Sequence, residues 1–210
     1  MQSSNMNLQE YKGPKIGKRV GKVLGDFVGN PYGPDALNSL LRRHGWTCFS
    51  MSSKYSNVYC NPKYRYVLKI NKRPDIGYEN YVQLIHKKRN KHFPHISDRK
   101  EIMVGGEKYY AYLIEELFHI DDSRAKHLSS IYRDYIKGRK YGLKIDKIFT
   151  DIYWYPAGVP PELRDDPSMI NALEIVADNS LLSGEFSIDL HKRNIMERED
   201  GTVVITDPYA

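Results

Sequence analysis

The stretch Ser187-Ile188-Asp189-Leu190-His191-Lys192-Arg193-Asn194-Ile195-Met196, followed by Val203-Val204-Ile205-Thr206-Asp207, decides how this chain is read. Asn194 to Met196 reads as a short strand, Asp200-Gly201 as a turn, and Val203 to Ile205 as the returning strand. Such a hairpin brings Asn194, at the start of one arm, beside Asp207, just past the end of the other. Two oxygen donors then meet at one end, a set suited to a hard cation such as Mg2+. Asp189 lies on the loop just before and can point to the same place, where a carboxylate takes a proton from a hydroxyl.

Upstream of this loop, Asp166-Pro167 is an N-cap followed by proline at the first helical position, and Met169, Ile170, Leu173, Val176, Ala177 and Leu181 form a helical stripe ended by Gly184. A second helix is expected from Asp121 to about Ile136. Residues 138–165 give no clear period, and Pro156, Pro160 and Pro161 mark a loop. The first half reads differently. Asp35 caps a short amphipathic helix to His44, residues 46–71 look like β structure turning at Asn61-Pro62, and a helix returns from about Ile76 to Lys88. Gly105-Gly106 then joins strands at Arg99 to Val104 and Glu107 to Ile114 as a hairpin. Residues 1–34, rich in Gly, Lys, Asn and Pro, read as a loosely ordered basic arm.

Composition narrows the classes. The chain has 210 residues, 40% hydrophobic and 28% charged, which allows one large domain or two lobes sharing a cleft. Its longest apolar runs are a few residues, too short for a transmembrane helix. Met1-Gln2-Ser3-Ser4 opens no apolar stretch, so no secretory signal is expected and a cytoplasmic setting is. Cys48 and Cys60 are expected as idle thiols, and two cysteines cannot build a Cys-rich zinc site. The net charge of +6 is unevenly spread: residues 1–100 hold 19 Lys and Arg against 6 Asp and Glu, whereas residues 101–210 hold 13 against 20. A basic front and an acidic back fit two lobes facing one site, one holding phosphate and the other metal. The run Lys87-Lys88-Arg89-Asn90-Lys91 reads as a solvated helix end, with a docking patch for acidic protein or RNA as the alternative. The 17 tyrosines are scattered and form no RNA-binding aromatic motif.

The spacing D-x-x-x-x-N, a hairpin, then apolar-apolar-x-D resembles the catalytic and metal loops of the protein-kinase-like superfamily. The wording Asp189-Leu190-His191-x-x-Asn194 is also similar to aminoglycoside-type phosphotransferases. A closer likeness is to the early serine/threonine protein kinase of T-seven-like (autographivirus) phages, which carries D-M-H-x-x-N-I-M and I-T-D-P. Here the counterparts are Asp189 to Met196 and Ile205-Thr206-Asp207-Pro208. Val67-Leu68-Lys69-Ile70 resembles the V-A-I-K strand, with Val67 and Lys69 on one strand face.

The resemblance implies an α+β, compact two-lobed kinase-like fold with a truncated C-lobe. Residues 35–117 would form the N-lobe and 118–210 a helical C-lobe with the catalytic loop and metal hairpin. It implies Asp189 as the base, Asn194 and Asp207 as Mg2+ ligands, Lys69 on the ATP phosphates and Val67 against adenine. Glu79 would be the ion-pair partner of Lys69, and Ser52 to Ser56, including Ser53, Lys54 and Ser56, the phosphate-covering loop. Glu116 and Leu117 would lie at the hinge, and His191 would touch the γ-phosphate or pack the loop. Ile188 stands where an arginine often precedes the base, so control through an Arg-to-phosphate contact is not expected. The implied activity is ATP- and Mg-dependent phosphoryl transfer to Ser/Thr of host proteins during phage infection. The rivals are a small-molecule phosphotransferase, a kinase-fold protein that binds a host partner without turnover, and a nucleic-acid binder using the basic half.

Overall fold

The computed structural model describes residues 34–50, 56–71, 75–152, 158–183 and 187–209. The arm expected over residues 1–34 falls outside them except for Pro34, as do Ser53 and Lys54. The architecture is mixed α+β, and backbone contacts divide the chain into two units: Met1–Pro74 with His95–Glu115, and Asp75–Pro94 with Glu116–Ala210.

The first unit holds helix α1 (Pro34–Arg43) and strands β1 (Thr47–Ser50), β2 (Ser56–Cys60), β3 (Tyr66–Asn71), β4 (Ile96–Val104) and β5 (Glu107–Glu115). All neighbouring strands are antiparallel, in the order β1-β2-β3-β5-β4. The period of two decides which face is core. Tyr66, Leu68 and Ile70 of β3 are buried, and they pack with Leu37 and Leu41, one turn apart on α1, and with Trp46. Val67 and Lys69 fall on the opposite, half-buried face. Gly105 and Gly106 join β4 to β5 with φ of +59° and +83°, the pair of positive values that a tight two-residue hairpin turn needs. Asn61 fixes the preceding turn, its Oδ1 accepting from Lys63 N at 3.1 Å and its Nδ2 donating to His44 O at 3.1 Å.

The second unit holds α2 (Ile76–Lys87), β6 (Phe118–His119), α3 (Asp122–Lys140), α4 (Pro167–Ser183), β7 (Ile195–Glu197) and β8 (Val203–Ile205). Strands β6, β7 and β8 form a small antiparallel sheet. Single helical turns at Ile145–Lys147, Ile148–Ile152 and Pro161–Arg164 fill part of the stretch that shows no period in the sequence. Asp75 caps α2 by accepting from Tyr78 N at 3.0 Å, and Asp121 caps α3 by accepting from Ser123 N and Arg124 N. Met169, Ala172, Leu173, Val176 and Ala177 of α4 are buried, as are Leu128, Ile131, Tyr132, Tyr135 and Ile136 of α3.

One boundary differs from the expected division. Residues 75–94, expected in an N-lobe over 35–117, cluster with the second unit. The cause is aromatic: Tyr81 of α2 meets Phe93 and Tyr209 edge-on, each at 6.0 Å between centroids, and its hydroxyl donates to Ile205 O in β8. Cys48 and Cys60 are not joined in a disulfide. No helix among the described residues is long and apolar enough to cross a membrane.

Candidate active site

The β7–β8 hairpin forms as the sequence predicts. Ile195 pairs with Ile205, Met196 with Val204 and Glu197 with Val203. Gly201 turns it at φ +81°, and Asp200 Oδ1 accepts from Thr202 N at 2.9 Å. Beyond the paired strands the two arms stay joined. Thr206 N donates to Asn194 O at 2.9 Å, and Asp189 N donates to Pro208 O at 2.8 Å. Asp207 is therefore held between two backbone bonds, one to the residue of each expected partner. Asn194 closes the loop itself, its Nδ2 donating to Asp189 O at 2.8 Å and lying 3.4 Å from Asp189 Oδ2. The amide nitrogen is thus committed inward, and the oxygen of the same amide is the group Asn194 offers to a cation.

Buried anchors hold the loop. Leu190 is fully buried, and its carbonyl accepts from Ser129 Oγ of α3 at 2.5 Å. His191 Nδ1 accepts from Arg193 N at 3.3 Å, and His191 O accepts from Asn194 N at 2.8 Å, closing a short helical turn over Lys192–Asn194. Lys192 pairs with Asp122 at the start of α3. That contact and a second one to Lys126 pull the Asp122 carboxyl down to about 2. Asp189 and His191 are exposed, while Asn194 and Asp207 are half-buried.

The electrostatic neighbourhood of Asp207 includes α2. Burial pushes the Tyr78 hydroxyl far above its ordinary value, and the carboxylates of Asp207, Asp75 and Glu79 push in the same direction. Burial does the same to Tyr81, again helped by Asp207. A cation at Asp207 would offset this concentration of negative charge. Among the described residues no group of three or more His, Cys, Asp or Glu could hold a metal. The expected set differs from such a group in that one of its donors is an amide. A carboxylate and an amide oxygen on adjoining backbone, with a second carboxylate one loop away, fit a hard cation by the chemistry of the donors.

Lys69, Val67 and Ser56 belong to the first unit, and Glu79, Glu116, Leu117 and His191 to the second. Lys69 pairs across the sheet with Val58 and Tyr112, and Val67 with Cys60 and Ile114. Ser56 is buried at the start of β2, opposite Asn71. Glu79 is half-buried in the first turn of α2. Of the two glutamates at the end of β5, Glu115 is the buried one: its Oε1 accepts from His95 N at 2.7 Å, while Glu116 is exposed beside half-buried Leu117.

A bracket around His92 is invisible in the sequence. His92 follows the run Lys87–Lys91, whose Lys and Arg are exposed as expected, and its own side chain is only 3% exposed. Nδ1 meets Val203 O at 2.7 Å, Nε2 meets Asp166 Oδ2 at 3.1 Å, and His92 O accepts from Ile205 N at 2.9 Å. The other oxygen of Asp166 caps α4, accepting from Ser168 N and Met169 N. Lys91 pairs with Asp166 at 3.2 Å, and Arg198 donates to the carbonyls of Lys91 and Phe93. Burial holds the His92 imidazole below its ordinary value, against the opposing pull of Val203 O and Asp166. A cavity of about 310 Å3 on this side is lined by Lys91, His92, Arg124, Tyr132 and Asp166 among others, and includes none of Asp189, Asn194 and Asp207. The cap at Asp166 is legible from Asp-Pro. The burial of His92 has no local signal, because its partners lie 74 and 111 positions away in sequence (166 − 92 and 203 − 92).

Compared with known protein families and with curated protein sequences, the chain matches none.

Proposed function

We propose that this chain is an ATP- and Mg-dependent phosphotransferase of kinase-like two-lobed build that modifies Ser/Thr hydroxyls of proteins, in the setting of a phage acting on its host. The observation that carries the reading is the triple closure at the loop: Asn194 Nδ2 to Asp189 O, Asp189 N to Pro208 O and Thr206 N to Asn194 O. These bonds bring one exposed carboxylate and two cation donors onto adjoining backbone. The sheet order β1-β2-β3-β5-β4, with Lys69 on the face opposite the α1 core, also supports it.

In this mechanism Asp189 orients the acceptor hydroxyl and takes its proton as the oxygen attacks the γ-phosphorus. The bond to the β–γ bridging oxygen breaks, and ADP leaves. Lys69 neutralises phosphate charge. Asn194 and Asp207 would hold Mg2+, which supplies charge neutralisation at the phosphates. Most of the acceleration comes from positioning and electrostatics.

The test is transfer of label from γ-labelled ATP with Mg2+ to bacterial proteins, run beside an aminoglycoside acceptor. Asp189→Asn is nearly isosteric and keeps a group for the Asn194 bond, but it cannot take the proton. We expect it to lower transfer about 10²–10⁴-fold and leave the Mg-ATP thermal shift intact. Unchanged transfer in Asp189→Asn removes Asp189 as base. Label on the aminoglycoside alone replaces the acceptor class.

A further inference from the structure

We propose that the C-terminal end of α3 and the turns that follow form a docking platform for single-stranded nucleic acid, separate from the phosphoryl-transfer site. Residues 133–147 hold six Lys and Arg against two Asp, inside a half of the chain whose balance is negative. Two of the six are taken: Arg139 by Glu174 at 3.8 Å and Lys147 by Asp151 at 3.0 Å. Lys137, Lys140 and Lys144 are exposed, and none of the ion pairs among the described residues includes them. Tyr141 stands among them 80% exposed, the most exposed large apolar side chain among the described residues. Lys137, Lys140 and Tyr141 follow i, i+3, i+4 spacing, which puts them on one stripe of the last turn.

The backbone under this stripe is built rather than frayed. Gly142 N donates to Arg139 O at 2.9 Å and Leu143 N to Gly138 O at 3.3 Å, with Gly142 at φ +72°, the double-bonded helix stop that fixes the capping residue, here Tyr141. Gly138 lets the next turn close in: a Cβ there would lie 2.3 Å from Ile148 Cγ1, and Ile148 is fully buried. This close approach sets Lys144 and Lys147, on the returning segment, against the end of α3.

A helix C-terminus favours cations. That accounts for Lys137 and Lys140, but neither for Lys144 beyond the helix nor for a tyrosine held out in water. Cations spaced around an exposed flat ring match a strand that offers phosphates and unstacked bases together. A plain polyanion such as polyglutamate would use the lysines and leave the ring idle.

The test is fluorescence anisotropy of the full chain with labelled oligo(dT) and oligo(U) across a salt series. Duplex of equal length and polyglutamate serve as competitors. We expect a log–log salt slope near −2, for about three phosphates at about −0.7 each. Tyr141→Ala should weaken single-strand binding about 5- to 140-fold, the range for loss of one base stack, and Tyr141→Phe should restore it. Lys137→Glu with Lys140→Glu and Lys144→Glu should abolish it. The same change at Lys87, Lys88 and Arg89 should have a smaller effect, and ATP-dependent transfer should be unaltered in all of these variants. No binding by the unmodified chain overturns the proposal. So does indifference to Tyr141→Ala and the triple change, or equal competition by duplex or polyglutamate.

Discussion

Asp207 is the residue on which the metal reading turns. It sits between the backbone bonds of Thr206 and Pro208, and its charge reaches the buried hydroxyls of Tyr78 and Tyr81. Ligand that binds only the folded state stabilises it by mass action, about 2.7 kcal/mol at a hundred times the dissociation constant. Mg-ATP should therefore raise the melting temperature of the unmodified chain, and Asp207→Ala should abolish the Mg-dependent part of that rise in a thermal-shift titration. An unchanged shift takes Asp207 out of the metal set. The residues of this loop are legible because their spacing is local: a hairpin converts thirteen positions, from Asn194 to Asp207, into adjacency. Ser129 is not legible. Its hydroxyl supports Leu190 O from 61 residues away, and in sequence it is one more position on a helix.

Elements show the same division between local and distant causes. The α2 and α3 helices, the Gly105-Gly106 turn and the β7–β8 hairpin follow from capping residues and periodicity. The two-residue β6 carries too few positions for a period, and its pairing with β7 is tertiary. The run Lys87–Lys91 at the end of α2 reads as solvated, and its Lys and Arg are exposed. The next residue, His92, turns inward and ties the segment to β8 and to the cap of α4. Its environment has a pH consequence. The unfolded chain binds the imidazole proton near 6.5, and the folded chain does so only lower, because burial opposes the charge. Between those values the unfolded state holds more protons, so stability is full above about 6.5 and falls as the pH drops through that window. Urea unfolding at stepped pH should show this decline, and His92→Gln should flatten it. A decline of equal size in His92→Gln assigns it to other groups.

At the scale of the molecule, the second unit is discontinuous: Asp75–Pro94 packs with Glu116–Ala210, and the intervening hairpin belongs to the first unit. The sequence order of strands and helices does not reveal this, because a helix between two strands reads as their neighbour. The unit should open as one body. Amide hydrogen exchange is expected to give Ile205 N, which donates to His92 O, the same opening free energy as Lys88 N at the end of α2. A lower value for α2 would make it a separate, weaker element. The contact between Tyr81 and Ile205 O spans 124 residues. On the ribosome, at about 5–20 residues per second, α2 emerges roughly 6–25 s before the strand that covers its aromatic face. Nascent chains of this protein therefore carry Tyr78 and Tyr81 uncovered until β8 has emerged, which makes that helix a segment for a holding chaperone to meet in the interval.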